Sequence, residues 1–399
     1  MKLVKKIKLI VGKTERETFD FWIRRCKLLY NVALTERQYY YQATGKSLNT
    51  YEQKKELVGL KEDDPSWGDV PNKCLQEVIF RLDKSYKDFF KGKGFPKYKN
   101  NDTFNSIEFT KEDVRVRNNL VYLPKLKYGI SSTEDFPTSY SSVRLKKEGG
   151  NYYLCFVCDY SPVIKMYPNN DVVGCDLGLK TLMTDSNGYE VKRFSTKLIK
   201  KYQKRINELN QSLAIKKRGS TRRKKVKSQL TKAYLRLKDT RLDYLHKEST
   251  TYIKQVREDK ISVGKLQVKD LMVSTGKRMQ RNFSRSYATS SISLFVGLLE
   301  YKAVKVGKEI KIVGEEYTSK TCSCCGVVKY DLKVTDREFN CIKCKLKISR
   351  DVNGAKNIRK VYLGEFNPIG VDLIEVKRKH SLLKKCSVRA TARLAVCSM

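Results

Sequence analysis

The sequence Cys322-Ser-Cys-Cys325 is followed after fifteen residues by Cys341-Ile-Lys-Cys344, and after six more by Asp351-Val-Asn-Gly354. In each CxxC knuckle two thiolates can hold one ion, and the span between lets the second knuckle return to complete a tetrahedron. The spacing therefore predicts a structural zinc ribbon, in preference to four unrelated buried cysteines. The predicted ligands are Cys322, Cys325, Cys341 and Cys344. Cys324 lies inside the first knuckle and is expected to stay uncoordinated.

The charge of the chain indicates its class of partner. Its 399 residues include 83 Lys+Arg and 43 Asp+Glu, a formal net charge of +40. Such a chain repels itself unless a polyanion neutralises it, so nucleic acid is the expected partner and a membrane surface the alternative. We expect neither a membrane span nor a signal peptide, and no small-molecule substrate. Twelve cysteines without a secretory signal favour metal binding and free thiols over disulfides.

The first part of the chain predicts a β-structure interrupted by helices. Residues 1–12 alternate as one strand, and residues about 14–92 carry apolar stripes at helical spacing. Residues 93–165 change to strand patterns, with hairpin turns at Asn118-Asn119 and Gly149-Gly150. We expect a small antiparallel barrel or sandwich, which the first strand joins across the helical insertion.

Residues about 170–360 read as α/β. A short buried strand ends at Asp176-Leu-Gly178, and a hairpin turns at Asn187-Gly188. Two long helices then flank a basic segment, residues 216–225. The elements predicted after them are a strand from Lys260 to Val263, a helix from Tyr287 to Val306, a strand from Glu309 to Val313, the ribbon, and a helix from Asp351. The sequence beyond residue 360 lacks clear periodicity and is expected to be poorly ordered.

Two aspartates suggest metal-ion chemistry on nucleic acid. Metal-dependent cleavage of a phosphodiester needs carboxylates from several backbone positions, converging on two divalent cations about 4 Å apart. Asp176 ends the first strand of the α/β region and Asp351 begins its last helix. An aspartate after an apolar strand is as often a turn or cap residue. The ordered set is more specific: a strand-end Asp, a βββ-α-β-α-β-α pattern, a zinc ribbon and then Asp-x-Asn-x-Ala.

These residues carry a family resemblance. The RuvC and zinc-ribbon core of TnpB proteins, the transposon-encoded relatives of type V CRISPR effectors, is similar to Gly174-Cys-Asp176-Leu-Gly178-Leu-Lys180, to Tyr317-Thr-Ser-Lys-Thr-Cys-Ser-Cys-Cys-Gly326, to Cys341-Ile-Lys-Cys344 and to Arg350-Asp-Val-Asn-Gly-Ala-Lys-Asn357. Three further segments resemble the family: Lys91-Gly-Lys-Gly-Phe-Pro-Lys-Tyr98, Leu123-Pro-Lys-Leu126 and Arg241-Leu-Asp-Tyr-Leu-His-Lys247. The resemblance covers roughly residues 1–360.

The resemblance implies a multidomain α+β protein with an RNase H-like (RuvC) α/β nuclease core. The implied domains are a β-barrel wedge (1–12 and 93–165), a helical recognition domain (13–92), the nuclease (166–319 and 348–360), an inserted zinc ribbon (320–347) and a flexible basic tail (361–399). It further implies an RNA-guided DNA endonuclease that binds a structured guide RNA and cleaves double-stranded DNA beside a short flanking motif. It would act in the cytoplasm at a bacterial nucleoid, or in a nucleus if the host is eukaryotic or viral.

One departure from the family concerns its second acid. The family has a Glu where this chain has Gly264, at the end of Lys260-Ile-Ser-Val-Gly264. Either the nuclease is inactive and the protein is a guided DNA-binding repressor, or another acid replaces the missing one. Strands lie about 4.8 Å apart, so Glu315 at the end of the next strand could lean back over the glycine.

Fanzors and the TnpB branch most similar to them show this exchange, with a Glu just before Tyr-Thr-Ser. The resemblance therefore implies that two Mg²⁺ ions are held by Asp176, Glu315 and Asp351. Glu316 is the next candidate, with its side chain on the opposite face if the strand continues that far. A solvated pair of acids at a strand end is the alternative.

The basic segment between the two long helices is expected to contact phosphates. Its charged residues are Lys216, Lys217, Arg218, Arg222, Arg223, Lys224 and Lys225. A solvated helix tip and a nuclear-targeting cluster are the alternatives. With only His246 and His380 available, we do not expect histidine-based catalysis or a strand transferase that pairs a catalytic Tyr with two His residues. His246 is expected in packing or in an RNA contact.

Overall fold

The computed structural model describes residues 2–161, 169–265, 291–333 and 336–371. The chain divides into two compact units, Met1–Ser161 and Pro162–Met399. None of the helices within the described ranges is long and apolar enough to cross a membrane. The predicted helix start at Tyr287, the tail from residue 372 onward and His380 lie outside the described residues.

The first unit combines antiparallel strands with helices inserted after the first strand. Its strands are β1 (Lys2–Lys8), β2 (Ser106–Thr110), β3 (Arg115–Arg117), β4 (Leu120–Tyr122), β5 (Ser142–Glu148) and β6 (Asn151–Asp159). Its helices are α1 (Lys13–Thr44), α2 (Thr50–Lys55), α3 (Leu57–Asp63) and α4 (Asn72–Phe90), with a 3-10 turn at Pro65–Asp69. The predicted pairing of β1 with this sheet is confirmed, since β1 lies antiparallel to β6.

Both predicted hairpin turns of the first unit are confirmed. β3 and β4 reverse at Asn118 and Asn119, whose φ angles are 48° and 55°. β5 and β6 reverse at Gly149 and Gly150, also at positive φ. Asn and Gly tolerate this left-handed backbone better than other residues, which is why the sequence signals the turns.

The closed barrel expected for the first unit is not seen in residues 2–161. The strands form an open sheet, β1-β6-β5-β2, and β3 and β4 form a separate two-stranded ribbon. Helices cover the sheet instead: Trp22 of α1 meets Phe109 of β2 with ring centroids 6.3 Å apart, and Phe19 lies 5.3 Å from Tyr152. One hydrophobic core contains residues of both the helices and the sheet. The apolar face that a barrel would close on itself is buried by α1 and α4.

The second unit is built on a five-stranded mixed sheet. The strands of this sheet are β7 (Val172–Leu177), β8 (Thr181–Asp185), β9 (Glu190–Lys192), β10 (Lys260–Gly264) and β11 (Glu309–Val313). Two further strands, β12 (Glu338–Asn340) and β13 (Lys347–Ser349), form a separate pair. Its helices are α5 (Thr196–Ala214), α6 (Thr221–Gln255), α7 (Ile292–Lys305) and α8 (Arg350–Leu363). The sheet order is β11-β10-β7-β8-β9, with β7, β10 and β11 parallel. β10 therefore lies beside β7, and β11 lies one place further out.

The chain after residue 360 differs from the expected tail. Helix α8 continues to Leu363 and ends at Gly364, whose φ is 78°. The following residues return to the ribbon, where the Ile369 N–H donates a hydrogen bond of 2.9 Å to the Gly326 carbonyl. Residues 361–371 thus belong to the folded second unit, because Ile369 forms a parallel bridge with Val327.

Gly174 lets α8 cross the central strand at very short range. A Cβ built on Gly174 would lie 2.6 Å from the Arg359 nitrogen, and still closer to the Ala355 carbonyl oxygen. The residues on either side of Gly174 point to the opposite face of the sheet, where the Cys175 sulfur lies 3.2 Å from the Tyr252 hydroxyl. The strand is thus buried on both faces, and only glycine fits beneath the helix.

We expect Gly174→Ala to lower the free energy of unfolding by at least about 2 kcal/mol, because the methyl group would collide with backbone that cannot rotate away. The matched control is Gly297→Ala, on the exposed face of α7, where no heavy atom lies within 4 Å of a built Cβ. That change should stabilise by about 0.5–1 kcal/mol. Urea denaturation of the two variants measures both values. Equal effects would contradict the close crossing of α8 over β7.

Candidate functional site

Asp176 and Asp351 are brought together by the crossing of α8 over β7. Asp176 occupies the same face of β7 as Gly174, and a Cβ built on Gly354 would lie 2.8 Å from the Asp176 Oδ2 atom. Asp351 stands in the first turn of α8, three residues before Gly354 and therefore on the same side of the helix. Glycine at position 354 leaves the space that the Asp176 carboxylate occupies.

Glu315 lies over Gly264. The ends of β10 and β11 are in register, with Gly264 paired to Val313. A Cβ built on Gly264 would lie 3.1 Å from the Glu315 Oε2 atom and 3.6 Å from its Cβ. A larger residue at position 264 would therefore compete with the Glu315 side chain for the same space, which is the geometry that the sequence predicted.

Glu316 takes a different direction from Glu315, although the condition set for this expectation, a strand that continues to these residues, is not met. β11 ends at Val313, so strand alternation does not reach these acids. The chain turns instead, and Tyr317 has a φ of 62°. The Glu316 carboxylate folds back over Gly314, away from Gly264. A local turn, and not the continuation of the strand, separates the two glutamates.

Negative charge is unfavourable at two of the three carboxylates, those of Asp176 and Glu315. Burial, together with the negative charges of Asp351 and Glu315, raises the pKa of Asp176 to about 8, and the positive charge of Arg350 opposes this shift. Burial, together with the charge of Glu316, raises the pKa of Glu315 to about 7. Asp176 thus feels both of the other predicted acids. Their oxygens do not converge tightly, since the cysteine group is the one described cluster with all ligand atoms within 4.8 Å.

The four predicted cysteines form a cluster suited to zinc. The Cys322 and Cys344 sulfurs are 3.5 Å apart, as are those of Cys325 and Cys341, and all four lie within 4.8 Å of one another. A zinc ion bound tetrahedrally at about 2.3 Å from each sulfur needs sulfurs separated by about 3.8 Å. Cys324 is exposed and outside the cluster, as predicted. The arrangement fits a closed structural zinc site.

The basic segment forms the tip of the hairpin between α5 and α6. Five of its predicted phosphate-contacting residues are exposed: Lys217, Arg218, Arg222, Lys224 and Lys225. Lys216 is half-buried, and Arg223 has a role within the turn, since its guanidinium donates to the carbonyls of Leu213 and Lys216. The role of the tip in nucleic-acid binding remains a prediction.

Sequence reasoning assigned no role to two asparagines of α8. Asn353 and Asn357 are fully buried, and both bond to the backbone that leads into the ribbon. Their spacing of four residues on a helix was the available signal, since it places both on one face.

His246 packs beside Tyr301, with its Nδ1 atom 3.4 Å from the hydroxyl.

We expect purified protein to contain one zinc ion per chain, and Cys341→Ser to lose most of it, because one lost thiolate opens a four-ligand structural site. Cys324→Ser is the matched control and should retain the metal. Elemental analysis of the pure proteins measures the content. A wild-type content well under one zinc per chain, or equal losses in the two variants, would contradict the assignment.

The raised pKa of Asp176 predicts how stability depends on pH. The folded protein holds the Asp176 proton up to about pH 8, whereas the unfolded chain releases it near the ordinary value of 3.8. Because the folded state binds more protons between these values, stability without added Mg²⁺ should fall as pH rises from about 4 to about 8.

Asp176→Asn should flatten this pH dependence, and Asn in place of the exposed Asp331 should not. Thermal denaturation of the zinc-loaded proteins at several pH values makes the comparison. An unchanged slope in Asp176→Asn would show that the carboxyl does not titrate in this range.

Comparisons with known proteins agree with these features. The family described as "Probable transposase" matches residues 156–275, and the family described as "Cas12f1-like, TNB domain" matches residues 293–358. A "Putative RNA-guided DNA endonuclease" of Streptomyces pristinaespiralis is 25% identical over 349 residues, which cover 83% of this chain and 82% of that protein. The "Putative RNA-guided DNA endonuclease InsQ" of Escherichia coli K12 is 26% identical over 347 residues, which cover 84% and 85% of the two chains.

A viral protein adds the family name to these matches. The "TnpB-like protein L79" of Acanthamoeba polyphaga mimivirus is 30% identical over 217 residues, which cover 53% of this chain and 41% of that protein. The matches confirm the resemblance to TnpB proteins that the motifs indicated, and this chain is similar in sequence to TnpB-like proteins over part of its length.

Proposed function

We propose that this protein is an RNA-guided DNA endonuclease of transposon origin, which binds a structured guide RNA and cleaves double-stranded target DNA beside a short flanking motif. The observation that carries the proposal is the position of Glu315 over Gly264, on the same sheet that holds Asp176 against α8. Two relatives matched along most of their length are named as putative RNA-guided DNA endonucleases, which supports the same activity.

The acids have the chemistry of a magnesium site. Mg²⁺ prefers oxygen ligands and keeps several waters, so it needs only a few carboxylates. Asp176 and Glu315 resist ionisation where they lie, and a divalent cation would remove this penalty. Two bound Mg²⁺ ions would supply an activated water and stabilise the leaving oxygen. We assign Asp176, Glu315 and Asp351 as the residues that hold them.

Each proposed ligand is held by a different part of the fold. Asp176 is fixed by β7, and Asp351 is fixed in the first turn of α8. The backbone of Glu315 is held by Thr318, whose hydroxyl donates a hydrogen bond of 2.8 Å to the Glu315 carbonyl. The three carboxylates thus gain fixed positions from a strand, a helix and a turn.

The charge of the chain supports nucleic acid as its partner. A net charge of +40 needs a polyanion, and exposed basic residues line the tip of the α5–α6 hairpin. Base pairing with the guide would read the target, while the protein would hold the duplex by its backbone. The division of residues 1–165 into wedge and recognition domains is part of this proposal.

The alternative function is a nuclease-inactive, RNA-guided repressor. Gly264 favours it, because the family's usual acid is absent from that position. The two functions differ only in whether Glu315 completes the metal site, so cleavage of a guided target distinguishes them.

We expect Asp176→Ala, Glu315→Ala and Asp351→Ala each to slow Mg²⁺-dependent cleavage by at least about a hundredfold, because the metal ions stabilise charge at the scissile phosphate. Guided DNA binding should stay nearly intact, since it rests on pairing and backbone contacts. The assay uses a supercoiled target matched to the RNA that copurifies with the protein, with binding measured in parallel.

Glu316→Ala is the matched control and should cut nearly like wild type, because its side chain folds over Gly314. Gly264→Glu should not improve cleavage, since the new side chain would crowd Glu315. Full cleavage by Glu315→Ala would show that another carboxylate completes the site. Guided binding without any cleavage by wild type would favour the repressor.

A further inference from the structure

Two buried asparagines join α8 to the backbone between Glu315 and the first zinc ligand. The connecting segment, residues 318–323, runs from the turn after Glu315 into the knuckle that contains Cys322. Asn353 and Asn357 are 0% and 1% exposed and face this segment from the helix that carries Asp351. Polar side chains are seldom so deeply buried unless they form hydrogen bonds with other buried groups.

The hydrogen bonds of Asn353 reach the knuckle itself. Its Nδ2 atom donates to the Thr321 carbonyl at 2.8 Å, and its Oδ1 atom accepts from the Ser323 N–H at 2.9 Å. These two groups flank Cys322 in the sequence. Asn353 therefore fixes the backbone on both sides of a predicted zinc ligand.

The hydrogen bonds of Asn357 reach back toward Glu315. Its Nδ2 atom donates to the carbonyls of Thr318 and Thr321, at 2.8 and 2.7 Å. Thr318 in turn bonds to the Glu315 carbonyl through its N–H and its hydroxyl, at 3.2 and 2.8 Å. Asn357 and Glu315 are thus linked through a single residue.

The amide of Asn357 is used only as a donor. Its Oδ1 atom is buried and has no hydrogen-bond partner among the described residues. Aspartate has nearly the same shape but would place a charged oxygen opposite two carbonyl oxygens, which is strongly unfavourable in a buried site. The position therefore requires the NH₂ group and not merely a polar residue of this size.

We propose that Asn353 and Asn357 are positioning residues that couple the zinc ribbon to the carboxylate site. They hold residues 318–323 against α8, so that the knuckle of Cys322 and the turn of Glu315 keep a fixed position relative to Asp351. The part of this inference that concerns the carboxylate site rests on the proposed function. The part that concerns zinc binding does not. Occupancy of the ribbon would then influence the geometry at Glu315, and loosening the segment would weaken both metal sites.

The test compares Asn353→Asp and Asn357→Asp with Lys356→Ala, an exposed residue of the same helix. Zinc affinity is measured by competition with a chromophoric chelator, and affinity for Mn²⁺ at the carboxylates by electron paramagnetic resonance. We expect both affinities to fall about tenfold or more in the asparagine variants, as is usual when a residue that orients metal ligands is lost. Lys356→Ala should change neither.

Asn353→Ala and Asn357→Ala provide a second pair, because alanine leaves room for a water and introduces no charge. A merely structural role would lower the melting temperature but leave the Mn²⁺ affinity of the folded molecules unchanged, and that result would overturn the proposal. Unchanged zinc affinity in the folded variants would overturn it as well.

Failure of the proposed function gives a different pattern. Wild-type protein that cleaves no guided target, while the asparagine variants still lose zinc and Mn²⁺ affinity, would count against the nuclease and leave the coupling intact. Wild-type cleavage with unaltered metal binding in all asparagine variants would retain the nuclease and remove the coupling.

Discussion

The close crossing of α8 over β7 is the constraint on which the second unit depends. Gly174 has no room for a Cβ beneath the backbone of Ala355 and Arg359, and Gly354 leaves space for the Asp176 carboxylate. A helix can approach a strand this closely only where both surfaces are small. The same contact that packs the core therefore brings Asp351 to Asp176, so the stability of the fold and the geometry of the acids cannot vary independently.

The second feature of the site is that the Glu315 side chain occupies the space that a side chain at position 264 would need. β10 and β11 end in register, and the side chain of Glu315, from the turn after β11, fills the space beside Gly264. A carboxylate can thus reach the same region from a different backbone position. This geometry supports the proposed metal site, because metal ligands are defined by where their oxygens lie and not by which backbone position supplies them.

Much of this arrangement could be predicted from the sequence, because the signals were local. The turn at Asn118-Asn119 requires residues that tolerate positive φ, and the spacing of Cys322 and Cys325 reports a metal knuckle directly. Other features depend on distant partners. The helices cover the first sheet through contacts such as that of Trp22 with Phe109, and the sequence of neither segment indicates that the two pack together. The hydrogen-bond partners of Asn357 are backbone carbonyls nearly forty residues away. The positive φ at Tyr317 could not be predicted either, because the position is not a glycine.

The central claim is that Asp176, Glu315 and Asp351 form one site for two divalent cations. A crystal structure of the protein with Mn²⁺, using the anomalous signal of the metal, tests it most directly. The account predicts two peaks about 4 Å apart, with carboxylate oxygens of all three residues at coordination distance. Peaks that lie elsewhere, or a site in which Glu315 remains outside coordination distance from both ions, would contradict it.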